Sequence, residues 1–213
     1  MGKIRVLLAD DHQIVLEGLT NLLEAEFELV GTVTDGRALV DEAIKLNPDV
    51  IVVDISMPLL NGIEAVRQIK KTDERVKVVF LTMHPDVSYA AMAFDAGASG
   101  YVLKNSASRE LITAIEEAMK GRTYVTPMIA GELMQSYKKS RPGQKISKKQ
   151  LTSRQEEILQ LLAEGHSAKE IAAMLFISPR TVETHKYNML QELNLNTTAD
   201  LIKFAIKHGL TSI

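Results

Sequence analysis

Asp10, Asp11, Asp54, Thr82 and Lys104 are the side chains in the first half of the chain best suited to chemistry. Each position or pair follows a run rich in aliphatic residues: Ile4–Ala9, Val50–Val53, Lys77–Leu81 and Ser99–Leu103. Three carboxylates brought close together repel one another and need a cation. With oxygen ligands alone the natural choice is Mg²⁺, which keeps several waters and leaves room for phosphate oxygens. Asp54 is the most central of the acids, and a carboxylate can act as a nucleophile that forms an acyl-phosphate. Lys104 would supply positive charge to phosphoryl oxygens, and Thr82 could donate its hydroxyl to the same group. Phosphoryl transfer asks mainly for positioning and charge neutralisation, and this set offers both. His12, beside the acids at a helix start, reads as a solvated neighbour.

The elements that must position these groups follow from periodicity. The run Val50–Val53 is too short to span a membrane and reads as a buried, parallel-type strand. Strand candidates at 4–9, 28–33, 50–53, 77–82 and 99–104 alternate with helical patterns after each. Val15, Leu16, Leu19, Leu22 and Leu23 mark the first helix, Ala38, Leu39, Ala43 and Ile44 the second, Ile63, Val66 and Ile69 the third. Residues 86–96 form the fourth, and Leu111, Ile112, Ile115 and Met119 line the fifth. Five such alternations predict an α/β, doubly wound, five-stranded parallel sheet over residues 1–121. Right-handed crossovers would gather the polar strand ends at one edge.

The chain has 213 residues, enough for one or two domains, and no cysteine, so disulfides and thiolate metal sites are excluded. No apolar run approaches the ~18 residues of a membrane span. The N-terminus shows no signal-peptide pattern, so a cytoplasmic protein without a membrane partner is expected. No glycine-rich loop follows the first strand, which argues against a nucleotide enzyme. The charge is asymmetric. Residues 1–121 carry 12 Lys/Arg against 19 Asp/Glu, and residues 122–213 carry 13 against 8. An acidic front and a basic back suggest two modules, the second facing a polyanion.

Asp10-Asp11, Asp54 with Met57-Pro58 and Asn61-Gly62, Thr82, and Tyr101 three places before Lys104 together resemble the receiver domain of two-component response regulators, flavodoxin-like in fold. The resemblance implies that Asp54 accepts a phosphoryl group from a sensor histidine kinase. It implies Mg²⁺ held by Asp11, Asp54 and the backbone carbonyl of Ser56, with Asp10 close by. It also implies a switch in which Thr82 moves to the phosphoryl group and Tyr101 turns inward. Where many receivers carry proline after the lysine, this chain has Asn105.

Residues 122–150 read as a joint. They hold a short strand-like piece at Thr123-Tyr124-Val125, a helix after Pro127, and a basic Pro/Gly-containing stretch from Lys138 to Lys149 that reads as a flexible linker. Residues 151–213 read as helical. Thr152 with Gln155 and Ser167 with Glu170 are capping boxes. Ser178 with Pro179 starts a longer helix running to about Asn194, and a last helix spans about Thr197 to Lys207. Two short helices, a tight turn and a longer helix make an all-α helix-turn-helix unit. Val182, His185, Met189 and Leu193 form the inward stripe of the longer helix, while Arg180, Glu183, Thr184, Tyr187 and Gln191 face outward, towards a major groove. Lys169, Arg180 and Lys186 suit phosphate contacts, and Glu183 and Thr184 suit base edges.

Leu151–Glu156, the turn and helix from Gly165 to Ile171, Ser178–His185 (with Thr181 among its residues) and the Leu193-Asn194-Leu195 ending resemble the LuxR-type DNA-binding domain. Glu192 departs from that pattern, where Lys or Arg is frequent. Together the halves resemble a NarL/FixJ-family response regulator. This implies a transcription factor, not an enzyme, which binds double-stranded promoter DNA and forms a homodimer when phosphorylated, with RNA polymerase as a further partner. Charge suggests that the acidic front half holds the basic back half until phosphorylation releases it. Two rivals are a phosphatase-like enzyme and a DNA-binding protein whose front half is only a dimerisation scaffold. The apolar stripe of the last helix, with Leu201, Ile202, Ala205 and Ile206, reads equally as a dimer surface or as core.

Overall fold

A computed structural model describes residues 2–139, 151–207 and 210. The linker stretch from residue 140 onward, and Gly209 beyond the last helix, lie outside the described residues. Strands β1 (Arg5–Ala9), β2 (Glu28–Val33), β3 (Val50–Val53), β4 (Lys77–Thr82) and β5 (Gly100–Leu103) alternate with helices α1 (Gln13–Glu24), α2 (Gly36–Leu46), α3 (Gly62–Thr72), α4 (Val87–Asp95) and α5 (Ala107–Met119). A short strand β6 (Tyr124–Val125) and helix α6 (Pro127–Lys139) follow. Helices α7 (Ser153–Ala163), α8 (Ala168–Met174), α9 (Pro179–Leu193) and α10 (Thr198–Lys207) make the second unit.

The sheet order is β2-β1-β3-β4-β5-β6, all parallel. Alternation along the strands sends side chains to both faces. Leu7, Ile51, Val53, Val78 and Phe80 pack under α2, α3 and α4, and Val6, Leu8, Val50, Val52, Val79 and Leu81 pack under α1 and α5. Burial on both faces explains why β3 carries only aliphatic residues.

The five-stranded expectation is corrected to six. Tyr124 and Val125 add to the open edge of β5, pairing with Gly100 and Tyr101. The reason is hydrogen-bond satisfaction at an exposed sheet edge. The Thr126 amide donates to the Tyr101 carbonyl at 3.0 Å, and the buried Thr126 hydroxyl accepts from the Leu103 amide at 3.1 Å and donates to Glu110 at 2.7 Å. The first part of the joint is thereby tied to the sheet, and α6 lays Ile129 and Leu133 into the core beneath α4.

In the second unit the capping boxes form as the spacing predicts, at Thr152/Gln155 and Ser167/Glu170. Ser178 caps α9 with Pro179 in its first turn, and Asn194 closes it in the left-handed conformation. Ile158, Leu161, Ile171, Val182, Met189, Leu201 and Ala205 make its core. Leu201 and Ala205 of the α10 stripe are therefore core, and Ile202 and Ile206 are half-buried. The two units touch where α7 meets the loop between β3 and α3: the Leu59 side chain packs against the helical core.

Candidate phosphoacceptor site and nucleic-acid interface

Register places the polar strand ends. Ala9 pairs with Val53, so Asp10 and Asp54 emerge side by side, and the Asp54 amide donates to the Ala9 carbonyl at 2.9 Å. Thr82 pairs with Leu103, which puts Lys104 one residue beyond it at the same edge. The Lys104 ammonium then sits between two buried carboxylates, 2.7 Å from Asp10 Oδ2 and 2.6 Å from Asp54 Oδ2. The other Asp54 oxygen accepts from the Ile55 amide at 2.6 Å.

Burial pushes the Asp54 carboxyl above its usual range, against the pull of Lys104. Burial also works against a charged Lys104, but Asp54 and the hydrogen bonds to both carboxylates outweigh it and hold the ammonium above its usual value. One lysine thus faces two buried acids, with Asp11 alongside, and negative charge is left over. Asp10, Asp11, His12 and Asp54 each offer a ligand atom within 4.8 Å of the others. This set, mostly hard oxygens with excess negative charge, fits a divalent cation. His12 is exposed as expected, yet its ring reaches inward: Nδ1 lies 2.7 Å from Asp11 Oδ1 and 3.3 Å from Asp10 Oδ1.

Thr82 and Tyr101, the expected switch pair, both meet the backbone of His84. Thr82 is fully buried, and among the described residues its hydroxyl is held by the His84 amide at 3.3 Å rather than by Asp54. Tyr101 is already inside, completely buried, with its hydroxyl donating to the His84 carbonyl at 2.8 Å. Burial raises its phenol well above the usual value. His84 was not singled out by the sequence. Its Nε2 lies 2.9 Å from Ser56 Oγ, its ring stacks on Tyr89 with centroids 4.5 Å apart, and burial lowers its pKa. It ties the loop after β3 to the loop after β4. A lone histidine two residues past a strand gives no periodic signal that could have found it.

On α9, Val182 and Met189 are completely buried, whereas Arg180, Glu183, Thr184, Tyr187 and Gln191 are exposed on one face. Lys169 on α8 is exposed as well. Four of the expected DNA contacts have other occupations. Thr181 is half-buried and shares a 2.8 Å hydrogen bond with Ser178 in the helix cap. Lys186 pairs with Glu183 at 2.7 Å, and the Thr184 hydroxyl donates to the Arg180 carbonyl at 2.9 Å. Glu192, the departure from the pattern, accepts from Gln155 of α7 at 2.8 Å, so it serves inside its own unit.

Comparison with known proteins matches residues 6–116 to the response regulator receiver domain and residues 149–205 to the bacterial regulatory proteins of the luxR family. The chain is 36% identical over 228 residues to the transcriptional regulatory protein DegU of Brevibacillus brevis, covering 100% of this chain and 97% of that one. This chain is a response regulator of the NarL/FixJ family. A solved structure of the Salmonella typhimurium response regulator RcsB is 29% identical, covers 96% of this regulator and 98% of its own chain, and has a TM-score of 0.59. A structure described as two RcsB dimers bound to two parallel DNAs is 28% identical, covers 95% and 98%, and has a TM-score of 0.58. The regulator is thus a DNA-binding transcription factor of a two-component system, not a metabolic enzyme, and the phosphatase-like rival falls.

One prediction arises from the lysine of this regulator. Lys104→Met leaves Asp10 and Asp54 buried without their shared counter-charge. Removing one member of a buried ionic set costs about 3 kcal/mol. Urea unfolding at neutral pH should show that loss, and added Mg²⁺ should restore part of it by replacing the missing positive charge.

Proposed function

We propose that a sensor histidine kinase phosphorylates this regulator on Asp54 in a Mg²⁺-dependent reaction, and that the modification controls dimerisation or domain release and sequence-specific binding to promoter DNA. The observation that carries this reading is the Lys104 ammonium held between the Asp10 and Asp54 carboxylates. Residues 1–121 form the receiver, 122–150 the joint and 151–213 the DNA-binding domain. The cell compartment is the cytoplasm, in keeping with the lack of any helix among the described residues long and apolar enough to cross a membrane.

Asp54 attacks the phosphorus of a phosphohistidine. An O–P bond forms, the N–P bond breaks, and the imidazole leaves. Asp10, Asp11 and Asp54, with the Ser56 carbonyl, would hold Mg²⁺, which when bound neutralises charge on the phosphoryl oxygens. Lys104 stays with the product: it turns from the carboxylate to a phosphoryl oxygen a few ångströms away. The Thr82 hydroxyl leaves the His84 amide and donates to another. Tyr101 needs no inward turn, since it already occupies the space beneath the β4–α4 loop. The exposed face of α9 enters the major groove. There Arg180 and Lys169 meet phosphates, and Glu183, Thr184 and Tyr187 meet base edges; Lys186 joins them if its pair with Glu183 opens, and Thr181 steadies the cap.

The test is operator binding by fluorescence anisotropy alongside light scattering, each with Mg²⁺ and with or without beryllofluoride. A rise in mass and affinity in the wild type, absent in Asp54→Ala, is expected. Affinity unchanged by beryllofluoride would favour the scaffold reading instead. In the same assay Arg180→Ala should weaken binding by a similar factor on every sequence and lower the salt slope by about one, as for a lost phosphate contact.

A further inference from the structure

His12 is the member of the acid cluster that phosphoryl transfer leaves without a task. It stands at the N-cap of α1, where a short polar side chain would ordinarily bond the first turn, and its ring makes no such bond. The backbone of His12 does the anchoring instead. Its amide donates to Asp10 Oδ1 at 3.0 Å, and its carbonyl accepts from the Val15 and Leu16 amides, both at 3.0 Å. The ring is left facing the acids, with Nδ1 2.7 Å from Asp11 Oδ1 and 3.3 Å from Asp10 Oδ1.

The 2.7 Å approach is short enough for a hydrogen bond, yet it lacks the alignment of one. Asp11 Oδ1 is buried and has no hydrogen-bond partner among the described residues. A buried carboxylate oxygen without a donor is costly unless a cation meets it. The other acids are better served. Lys104 holds Asp10 Oδ2 and Asp54 Oδ2, and Asp54 Oδ1 accepts from the Ile55 amide. A cation entering this edge therefore meets Asp11 and the His12 ring without first displacing Lys104.

The spacing fits a shared ion. Octahedral ligands about 2.1 Å from a small divalent cation lie about 3 Å from their neighbours. The separations of 2.7 and 3.3 Å around Nδ1 bracket that value, and ligand atoms of Asp10, Asp11, His12 and Asp54 all lie within 4.8 Å of one another. An imidazole nitrogen changes the chemistry of such a set. Mg²⁺ prefers oxygen and keeps its waters, whereas first-row transition cations accept nitrogen and carboxylate together.

We propose that His12 is a further ligand of this cation site, so that the acidic edge takes a first-row transition cation such as Mn²⁺ in preference to Mg²⁺, with the imidazole nitrogen in the place of one bound water. The proposal rests on the reading of Asp11 and Asp54 as cation ligands. It adds nitrogen to that ligand set and selectivity to the site.

The test uses the full chain, Mn²⁺ and Mg²⁺, and the variants His12→Asn and Asp11→Ala. Electron paramagnetic resonance titration gives the Mn²⁺ affinity, and displacement of Mn²⁺ gives that of Mg²⁺. Electron spin echo modulation of the bound Mn²⁺ reads directly whether a nitrogen is coordinated. The wild type should show nitrogen modulation, and protein labelled with ¹⁵N-histidine should show it altered. His12→Asn should lose the modulation and bind Mn²⁺ at least about tenfold more weakly, since even partners outside the ligand set are worth that much. Its Mg²⁺ affinity should stay close to that of the wild type. His12 is exposed, so the substitution leaves the core intact. No nitrogen modulation in the wild type would overturn the proposal. So would modulation that survives in His12→Asn, or an equal loss of affinity for both cations, which would mark His12 as a support of Asp11 alone. If Asp11→Ala binds either cation as tightly as the wild type, the cation-site reading itself falls and His12 with it.

Discussion

Full-length chain carrying Asp54→Asn should incorporate no phosphoryl group from acetyl phosphate, where the wild type does. Phosphate-affinity electrophoresis reads this directly, and any residual shifted band at the wild-type level would sink Asp54 as the acceptor. The effect is all or none because a carboxamide oxygen is no nucleophile at phosphorus under these conditions, while Lys104 and Asp10 remain in place. A second signature follows from burial. The Asp54 carboxyl titrates above its ordinary range in the fold. A folded value above the unfolded one means that ionising Asp54 costs stability. That part of the stability is complete below about pH 3.9 and is lost as pH rises through the raised value. A carboxamide at this position does not ionise and has no such loss. The substituted chain should therefore gain thermal stability relative to wild type on going from acid to neutral pH, and Mg²⁺ should narrow the gap by favouring the ionised wild-type carboxylate.

Gly62→Ala is expected to unfold the receiver or nearly so, a loss of more than about 4 kcal/mol, at the extreme of single substitutions. A Cβ on Gly62 would stand 1.9 Å from the Asp54 carbonyl oxygen and 3.0 Å from a Val53 methyl. The obstacle is backbone at the end of the central strand, so no rotamer relieves it. The chain cannot shift there cheaply, because the Gly62 amide donates to the Ile55 carbonyl at 2.8 Å and Asn61 caps α3. Gly121→Ala, at a turn where a Cβ meets nothing within 4 Å, bears only the left-handed backbone cost and serves as the comparison. Circular dichroism of both against urea checks the difference; equal midpoints would show that the loop yields.

Much of this molecule was legible because local chemistry repeats. Aliphatic runs ending in Asp10, Asp54, Thr82 and Lys104 announce parallel strands with polar ends, and one-handed crossovers leave those ends a single edge to share. Side-chain caps are equally local, so Thr152, Ser167 and Ser178 marked their helices without knowledge of the rest. The acid cluster and the exposed face of α9 followed from spacing alone.

Tertiary structure decided what depends on partners far away in the chain. The strand-like piece at Tyr124 joined the sheet only because β5 offers an open edge. The Thr82 hydroxyl and the buried Tyr101 are both held by His84, a loop residue with no periodicity of its own. Gln160 is the clearest case. A glutamine beside glutamates on a helix face has the pattern of a solvated side, and hydrophobic periodicity carries no information about which polar face meets which loop. It is buried instead, because α7 reaches the backbone of Met57 and Asn61, about a hundred residues earlier: its side chain donates to the Met57 carbonyl at 2.8 Å and accepts from the Asn61 amide at 2.7 Å. Hydrogen-bond pairing between distant groups is set by geometry and not by spacing.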